Sequence, residues 1–196
     1  LVLLTLAAAA AAFSLQAQPS PRSSETPETI IRDWPERARL IAQVMFDEYG
    51  QPNRMSSEAL VWFNNGPWQK TIVYRKALPN PPGLQGEIYL EQSVGYEVPD
   101  DKIGALKRFD RRVSVDKTKG VLSCRSASER LNFLALNLAD DIVNYRRSVK
   151  DARDFYRRAL RLSMAGKTIM YLDTLLFQVH NGASPDLGEA KKRDKS

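Results

Sequence analysis

Glu87-Ile88-Tyr89-Leu90-Glu91-Gln92-Ser93-Val94-Gly95-Tyr96-Glu97-Val98 is the stretch that decides the fold class. Ile88, Leu90, Gln92, Val94, Tyr96 and Val98 alternate with Glu87, Tyr89, Glu91, Ser93, Gly95 and Glu97, the signature of a strand with one face buried and one wet. Upstream, Leu60-Val61-Trp62-Phe63 and Thr71-Ile72-Val73-Tyr74 are aromatic and β-branched runs separated by Asn64-Asn65-Gly66-Pro67-Trp68, which predicts a hairpin. Downstream, Val113 to Lys117 and Val121 to Cys124 form a second hairpin around Lys119-Gly120. No βαβ unit is apparent, so the sheet is expected to be antiparallel.

Helical periodicity brackets these strands. Asp33-Trp34-Pro35-Glu36 is expected to cap a helix carrying Ala38, Ile41, Ala42, Met45 and Phe46, broken at Tyr49-Gly50-Gln51-Pro52. Pro99-Asp100-Asp101 opens a short helix through Phe109, with its acids placed favourably for the helix dipole. Ser126-Ala127-Ser128-Glu129 reads as a capping box before the longest helix, where Leu131, Leu134, Leu138, Ile142 and Tyr145 form one apolar stripe and Phe133, Leu136 and Val143 another. A helix apolar around so much of its circumference belongs at the centre of the fold. Ser148 starts a further helix ending at Gly166, and Thr168 to Val179 is expected to make the last. The predicted class is α+β: an antiparallel sheet of about five strands with an N-terminal helix and a C-terminal layer of about three helices.

Residues 1–17 run from an uncharged apolar segment, Leu1 to Phe13, into a polar stretch with a small residue at Ala17, and this predicts a signal peptide cut after Ala17. A membrane span needs about 20 apolar residues, whereas this run breaks at Ser14. A retained anchor is the alternative. Residues 18–32 read as a Pro/Ser-rich linker, 33–183 as a single α+β domain, and 184–196, with Lys191-Lys192-Arg193, as a basic tail. The expected location is exported, periplasmic or extracellular. The single cysteine, Cys124, excludes an internal disulfide, so the core must hold the domain. The formal charge of +6 lies wholly after the leader and suits an anionic lipid or polymer of the envelope, or an envelope protein, rather than nucleic acid.

Few residues offer chemistry. His180 is the only histidine, lies far in sequence from Cys124, and no nucleophile elbow or Gly-rich phosphate loop occurs. One His and one Cys cannot assemble the usual zinc ligands, so no metal and no cofactor are expected. Asp140 and Asp141, with Asn137 and Asn144, are weak candidates for acid–base work, as is Glu91 in the alternating strand; the plainer reading makes the helical group a wet face. Arg146, Lys150, Arg153, Arg157 and Arg161 recur at helical intervals and form a candidate basic binding stripe, or a solvated face partly neutralised by Asp151 and Asp154. Trp62 and Trp68, among several sheet aromatics, are candidates for a binding platform, with core packing the commoner use.

Tyr49-Gly50-Gln51-Pro52, Gly66-Pro67-Trp68, Tyr96-Glu97-Val98-Pro99 and the run Asn132 to Asp141 resemble a family of exported bacterial proteins with no assigned activity. That resemblance implies export and transfers no catalytic residue. The stretch Ala38 to Tyr74 also resembles small outer-membrane assembly lipoproteins and β-lactamase-inhibitor-like domains, in which a helix ending in Gly-x-Pro leads into an aromatic hairpin. This chain lacks their lipobox Cys, contains more helix and has no second copy of the unit. The likeness implies a binding role in place of catalysis, with a hydrolase using paired carboxylates and no histidine as the alternative.

Overall fold

The deciding stretch forms a strand, Ile88–Gly95, flanked by a neighbour on either side, but it is buried along its whole length: the face expected to be wet is closed too, with Tyr89, Glu91 and Ser93 buried as well as Leu90, Gln92 and Val94. The computed structural model describes residues 26–82 and 86–180; the expected signal segment, most of the linker and the basic tail lie outside them. In chain order the strands are β1 (Arg54–Met55), β2 (Ala59–Asn65), β3 (Trp68–Leu78), β4 (Ile88–Gly95), β5 (Val113–Asp116) and β6 (Val121–Ser126). They form one antiparallel sheet in the order β1-β2-β3-β4-β6-β5. The strand beyond the expected five is β1, a two-residue edge piece too short to show alternation.

The register assigns the faces. Leu60 lies opposite Val73 and Val73 opposite Leu90, while Gln92 lies opposite Cys124 and Cys124 opposite Val113. Against this face pack two helices side by side. Helix α2 (Glu36–Tyr49) sets Ala38, Ala42 and Met45 on Leu60, Trp62, Val73 and Leu90. Helix α4 (Glu129–Val143) sets Phe133, Leu134 and Leu138 on Val94, Leu122, Cys124 and Val113. Helix α3 (Asp100–Phe109) lies beside β5, and α5 (Val149–Met164) forms an outer layer on α3 and α4. Every residue of α4 from Asn132 to Val143 is buried, as its two apolar stripes require. Among the described residues no helix is long and apolar enough to cross a membrane.

Several local expectations change. A short helix α1 (Pro27–Ile31), capped by Thr26, precedes Asp33, and its Ile31 is buried against α2. The stretch read as linker therefore contains a helix. Asp33 does not cap α2, whose N-cap is Pro35 without a side-chain bond. The stretch expected as a last helix supplies only a 3-10 turn at Met170–Leu172.

The capping box also fails, for an informative reason. The N-cap of α4 is Ser128, and Glu129 is the first helical residue, two positions too early to reach back to its own helix. Its Oε1 instead accepts hydrogen bonds from Tyr49 OH at 2.6 Å, Trp68 Nε1 at 2.5 Å and Gln92 Nε2 at 2.8 Å. These donors come from the end of α2, the start of β3 and the middle of β4. Asn132 extends the network, its Nδ2 donating to Gln92 Oε1 at 2.9 Å. Burial, and then the neighbouring Glu129 carboxylate, push the Tyr49 hydroxyl well above its ordinary value, so it remains a donor.

Glu129→Ala leaves three buried or half-buried donors without an acceptor and is expected to cost about 3 kcal/mol in urea unfolding. Glu129→Gln keeps one acceptor oxygen and should cost about 1 kcal/mol; equal losses for the two variants would contradict the network. Gly66 turns the β2–β3 hairpin at a φ of 55°, and a Cβ there would lie 2.8 Å from Tyr49 Cε1. Gly66→Ala should therefore destabilise by more than ~1 kcal/mol, measurable as a lowered urea midpoint.

Candidate anion-binding groove

Lys107-Arg108-Phe109-Asp110-Arg111-Arg112 spans the end of α3 and the entry to β5. Phe109 is buried, which turns Lys107, Arg108 and Arg111 outward to solvent around it. Asp110 leaves the helix in an extended conformation and delivers Arg112 against α5. Between α3, β5 and α5 lies a groove of about 1180 Å³, lined also by Pro81 and Pro82. Ile103, Leu106, Phe109, Val113, Val115 and Tyr156 supply its apolar lining. Among the described residues seven Lys or Arg line it against one acid, Asp110.

That acid is already occupied. Arg112 donates from Nε to Asp110 Oδ1 at 3.0 Å and from Nη2 to Oδ2 at 2.6 Å, and Nη2 also donates to Tyr156 OH at 2.8 Å. Burial works against the guanidinium charge, but the Asp110 bonds outweigh it and raise the pKa above the ordinary arginine value. Arg153 is a tie between helices: its Nε donates to Phe109 O at 3.2 Å and its Nη2 to Arg108 O, closing carbonyls left open at the end of α3. Arg157 pairs with Asp154, and Lys117 pairs with Asp100. Among the described residues Lys107, Arg108 and Arg111 have exposed side chains without an ion pair. Three unpaired cations thus stand at the mouth of an apolar groove.

The sequence-derived candidates divide sharply. Arg153 and Arg157 of the basic stripe line the groove, while Lys150 and Arg161 do not. Lys150 donates to Asp154 at 2.8 Å, the neutralised surface pair that the helical spacing allowed. Arg146 does not belong to the stripe, because α5 starts at Val149 and Arg146 lies in the preceding turn, bonded back to α4. Trp62 and Trp68 are no platform. Both are fully buried: Trp62 Nε1 donates to Gly50 O at 2.9 Å, and Trp68 stacks on Phe133 with centroids 4.9 Å apart.

Asp140 and Asp141 are buried, contrary to the wet-face reading. Asp140 Oδ1 accepts from Tyr96 OH at 2.6 Å and Asn144 Nδ2 at 2.7 Å, and its Oδ2 accepts from Arg146. Asp141 accepts from Arg146 Nε at 2.7 Å, Arg147 Nε at 2.8 Å and Tyr171 OH at 2.9 Å. Burial alone would raise the Asp141 pKa, but the bonds from Arg146, Arg147 and Tyr171 hold it below 3.8. Such a carboxylate is poorly suited to carry a proton at neutral pH. Glu91 lies on the opposite sheet face, where its Oε2 accepts from Arg125 Nε at 2.7 Å and Tyr74 OH at 3.0 Å. Asn137 secures the C-terminal segment, accepting from Leu176 N at 2.7 Å and donating to Thr174 O at 2.7 Å. Cys124 is fully buried, and burial pushes its thiol well above the ordinary cysteine value.

Lys107, Arg108, Arg111, Arg112 and Lys117 were missed as site residues. The signal was available in the run from Lys107 to Arg112, four cations in six positions, but dividing it between a helix end and a strand start hid its density. The chain matches no family model, no curated protein and no solved structure.

Since the Asp141 carboxyl is held below 3.8, its stabilising contribution is complete above that value and is lost as the pH falls through the lower folded value. Asp141→Asn should cost about 3 kcal/mol at neutral pH, because two guanidinium groups lose their buried partner. The gap from the parent should narrow in strong acid. Urea unfolding across the acid range checks this, and a gap that stays constant there would exclude the titration.

Proposed function

We propose that this chain is an exported, non-catalytic binding module that holds anionic envelope material, lipid or acidic polymer, at the groove between α3, β5 and α5. The observation that carries this reading is the set of cations, Lys107, Arg108 and Arg111, exposed at an apolar-lined groove and unpaired among the described residues, where the only acid is bound to Arg112. Like charges held close together without partners repel one another, so the fold gains little from them and a polyanion gains a great deal. Export is supported by the uncharged apolar opening of the sequence followed by a small residue at Ala17. The hydrolase alternative loses support because Asp140 and Asp141 are saturated by arginine and tyrosine donors, while Glu91 points away on the other face of the sheet.

Binding to phosphatidylglycerol vesicles and to dextran sulfate, followed over a series of salt concentrations, tests the proposal. Each cation near an anionic surface contributes about 1 kcal/mol, so the triple variant K107E/R108E/R111E should bind at least tenfold more weakly. Lys76→Glu, on an exposed position at the end of β3, should leave affinity unchanged. Salt-independent binding, or equal affinity for the parent and the triple variant, would remove the proposal.

A further inference from the structure

We infer that the groove accepts the acyl chain of an anionic phospholipid along its lining, with the phosphate held on the rim by Lys107, Arg108 and Arg111. This deepens the reading above and rests on it. Polarity is unevenly distributed over the groove. Its lining is aliphatic and aromatic, with Ile103, Val115 and Tyr156 half-buried and therefore reachable from solvent. The buried polar pair Arg112 and Asp110 is closed on itself and on the Tyr156 hydroxyl, so it offers little to a hydrophilic ligand. The three free cations stand together where α3 ends. A sulfated polymer could satisfy those cations but would leave the apolar lining wet. A neutral hydrocarbon could cover the lining but would leave the charges unanswered. An amphiphile with one charged end answers both.

Two further features narrow the chemistry. Arg108 and Arg111 present guanidinium forks, which match the several oxygens of a phosphate better than they match a point charge, and Lys107 adds an unforked cation beside them. The volume of about 1180 Å³ is above the size of an ordinary small-molecule cleft and leaves room for a chain as well as a headgroup. The groove is also bounded on two sides by regular elements, α3 with β5 on one and α5 on the other, tied together where Arg153 bonds to the carbonyls of Arg108 and Phe109. The lining is thus held open by the fold and does not have to be assembled by the ligand.

The experiment is isothermal titration of the full chain with lysophosphatidylglycerol below its aggregation threshold, comparing lauroyl and myristoyl chains, with dextran sulfate titrated in parallel. The expected result is one lipid per chain and tenfold or greater weakening on going from myristoyl to lauroyl, since each buried methylene is worth roughly a fourfold change in affinity. Ile103→Trp fills the lining and should abolish lysolipid uptake while leaving dextran sulfate binding within twofold of the parent. Val115→Gln, which wets the lining without filling it, should weaken lysolipid by about tenfold, and circular dichroism checks that both variants fold. Dextran sulfate binding without chain-length dependence, or lysolipid uptake unaffected by Ile103→Trp, would overturn this inference and leave the anion-binding reading standing. Equal affinity for lysophosphatidylcholine, whose phosphate is offset by its choline cation, would overturn the assignment of an anionic lipid. Failure of the parent chain to bind either probe would overturn both readings.

Discussion

One oxygen atom, Glu129 Oε1, receives donors from the end of α2, the start of β3 and the middle of β4. A sheet that carries two helices on one face leaves a seam between them, and here the cores under α2 and α4 form separate clusters that meet at Tyr49. Gln92 and Thr71 lie on the buried face at that seam, where water cannot serve them. Unsatisfied, such groups would cost several kcal/mol. Asn65 serves Thr71, while the carboxylate at the start of α4 serves Gln92 and fixes the distance between the helices, because each of its donors reaches it at 2.8 Å or less. Gly66 is drawn into the same constraint, since only a residue without a side chain lets the hairpin approach the Tyr49 ring.

Placing α4 by its first residue sets the course of the chain beyond it. With α4 buried over nearly its whole circumference, its C-terminal end cannot be left to solvent, and Asp140 and Asp141 draw Arg146 and Arg147 of the next turn back onto it. That turn, with Tyr145 at a φ of 58°, reverses the chain and lays α5 across α3 and α4. The C-terminal segment closes over α4 through Asn137, which exchanges hydrogen bonds with backbone groups of Tyr171, Thr174 and Leu176. The groove is a by-product of this stacking. Helix α5 rests on α3 near the end of that helix, and the space beside β5 is left to Ile103, Val115 and Tyr156.

How much of this was legible in the sequence depends on the range of the interaction. The alternation from Glu87 to Val98, the two hairpins and the all-round apolarity of residues 131–143 are local patterns, and each appears in the structure as an element of the expected type. The residues that went astray are those whose partners lie far away in the chain. Glu129 resembles a capping residue until Tyr49 and Trp68, 80 and 61 positions distant, arrive beside it. Asp140 and Asp141 resemble a wet stripe because a helical wheel cannot display Tyr96 or Tyr171. Periodicity describes a face without naming what covers it, so polar residues on a central helix are ambiguous until the fold is known. The groove was invisible for the same reason, since its walls come from α3, β5 and α5 and no single element shows its concavity.

The distribution of charge separates structural ionic groups from available ones. Asp140, Asp141, Glu91 and Asp110, whose side chains are all 11% exposed or less, are each matched by arginine, in arrangements where removing one partner would strand a buried charge. On α5 the alternation of Lys150, Asp154 and Arg157 gives exposed pairs that contribute little to stability and offer little to a ligand. Once those obligations are counted, the positive charge lining the groove that has neither an ion pair nor a structural hydrogen bond falls, among the described residues, on Lys107, Arg108 and Arg111. Placing three such groups around Phe109 raises the self-repulsion of the folded chain, and α3 recovers only part of it through the favourable position of Lys107 and Arg108 in its last turn. A cost only partly offset within the fold is the physical ground for proposing a ligand there.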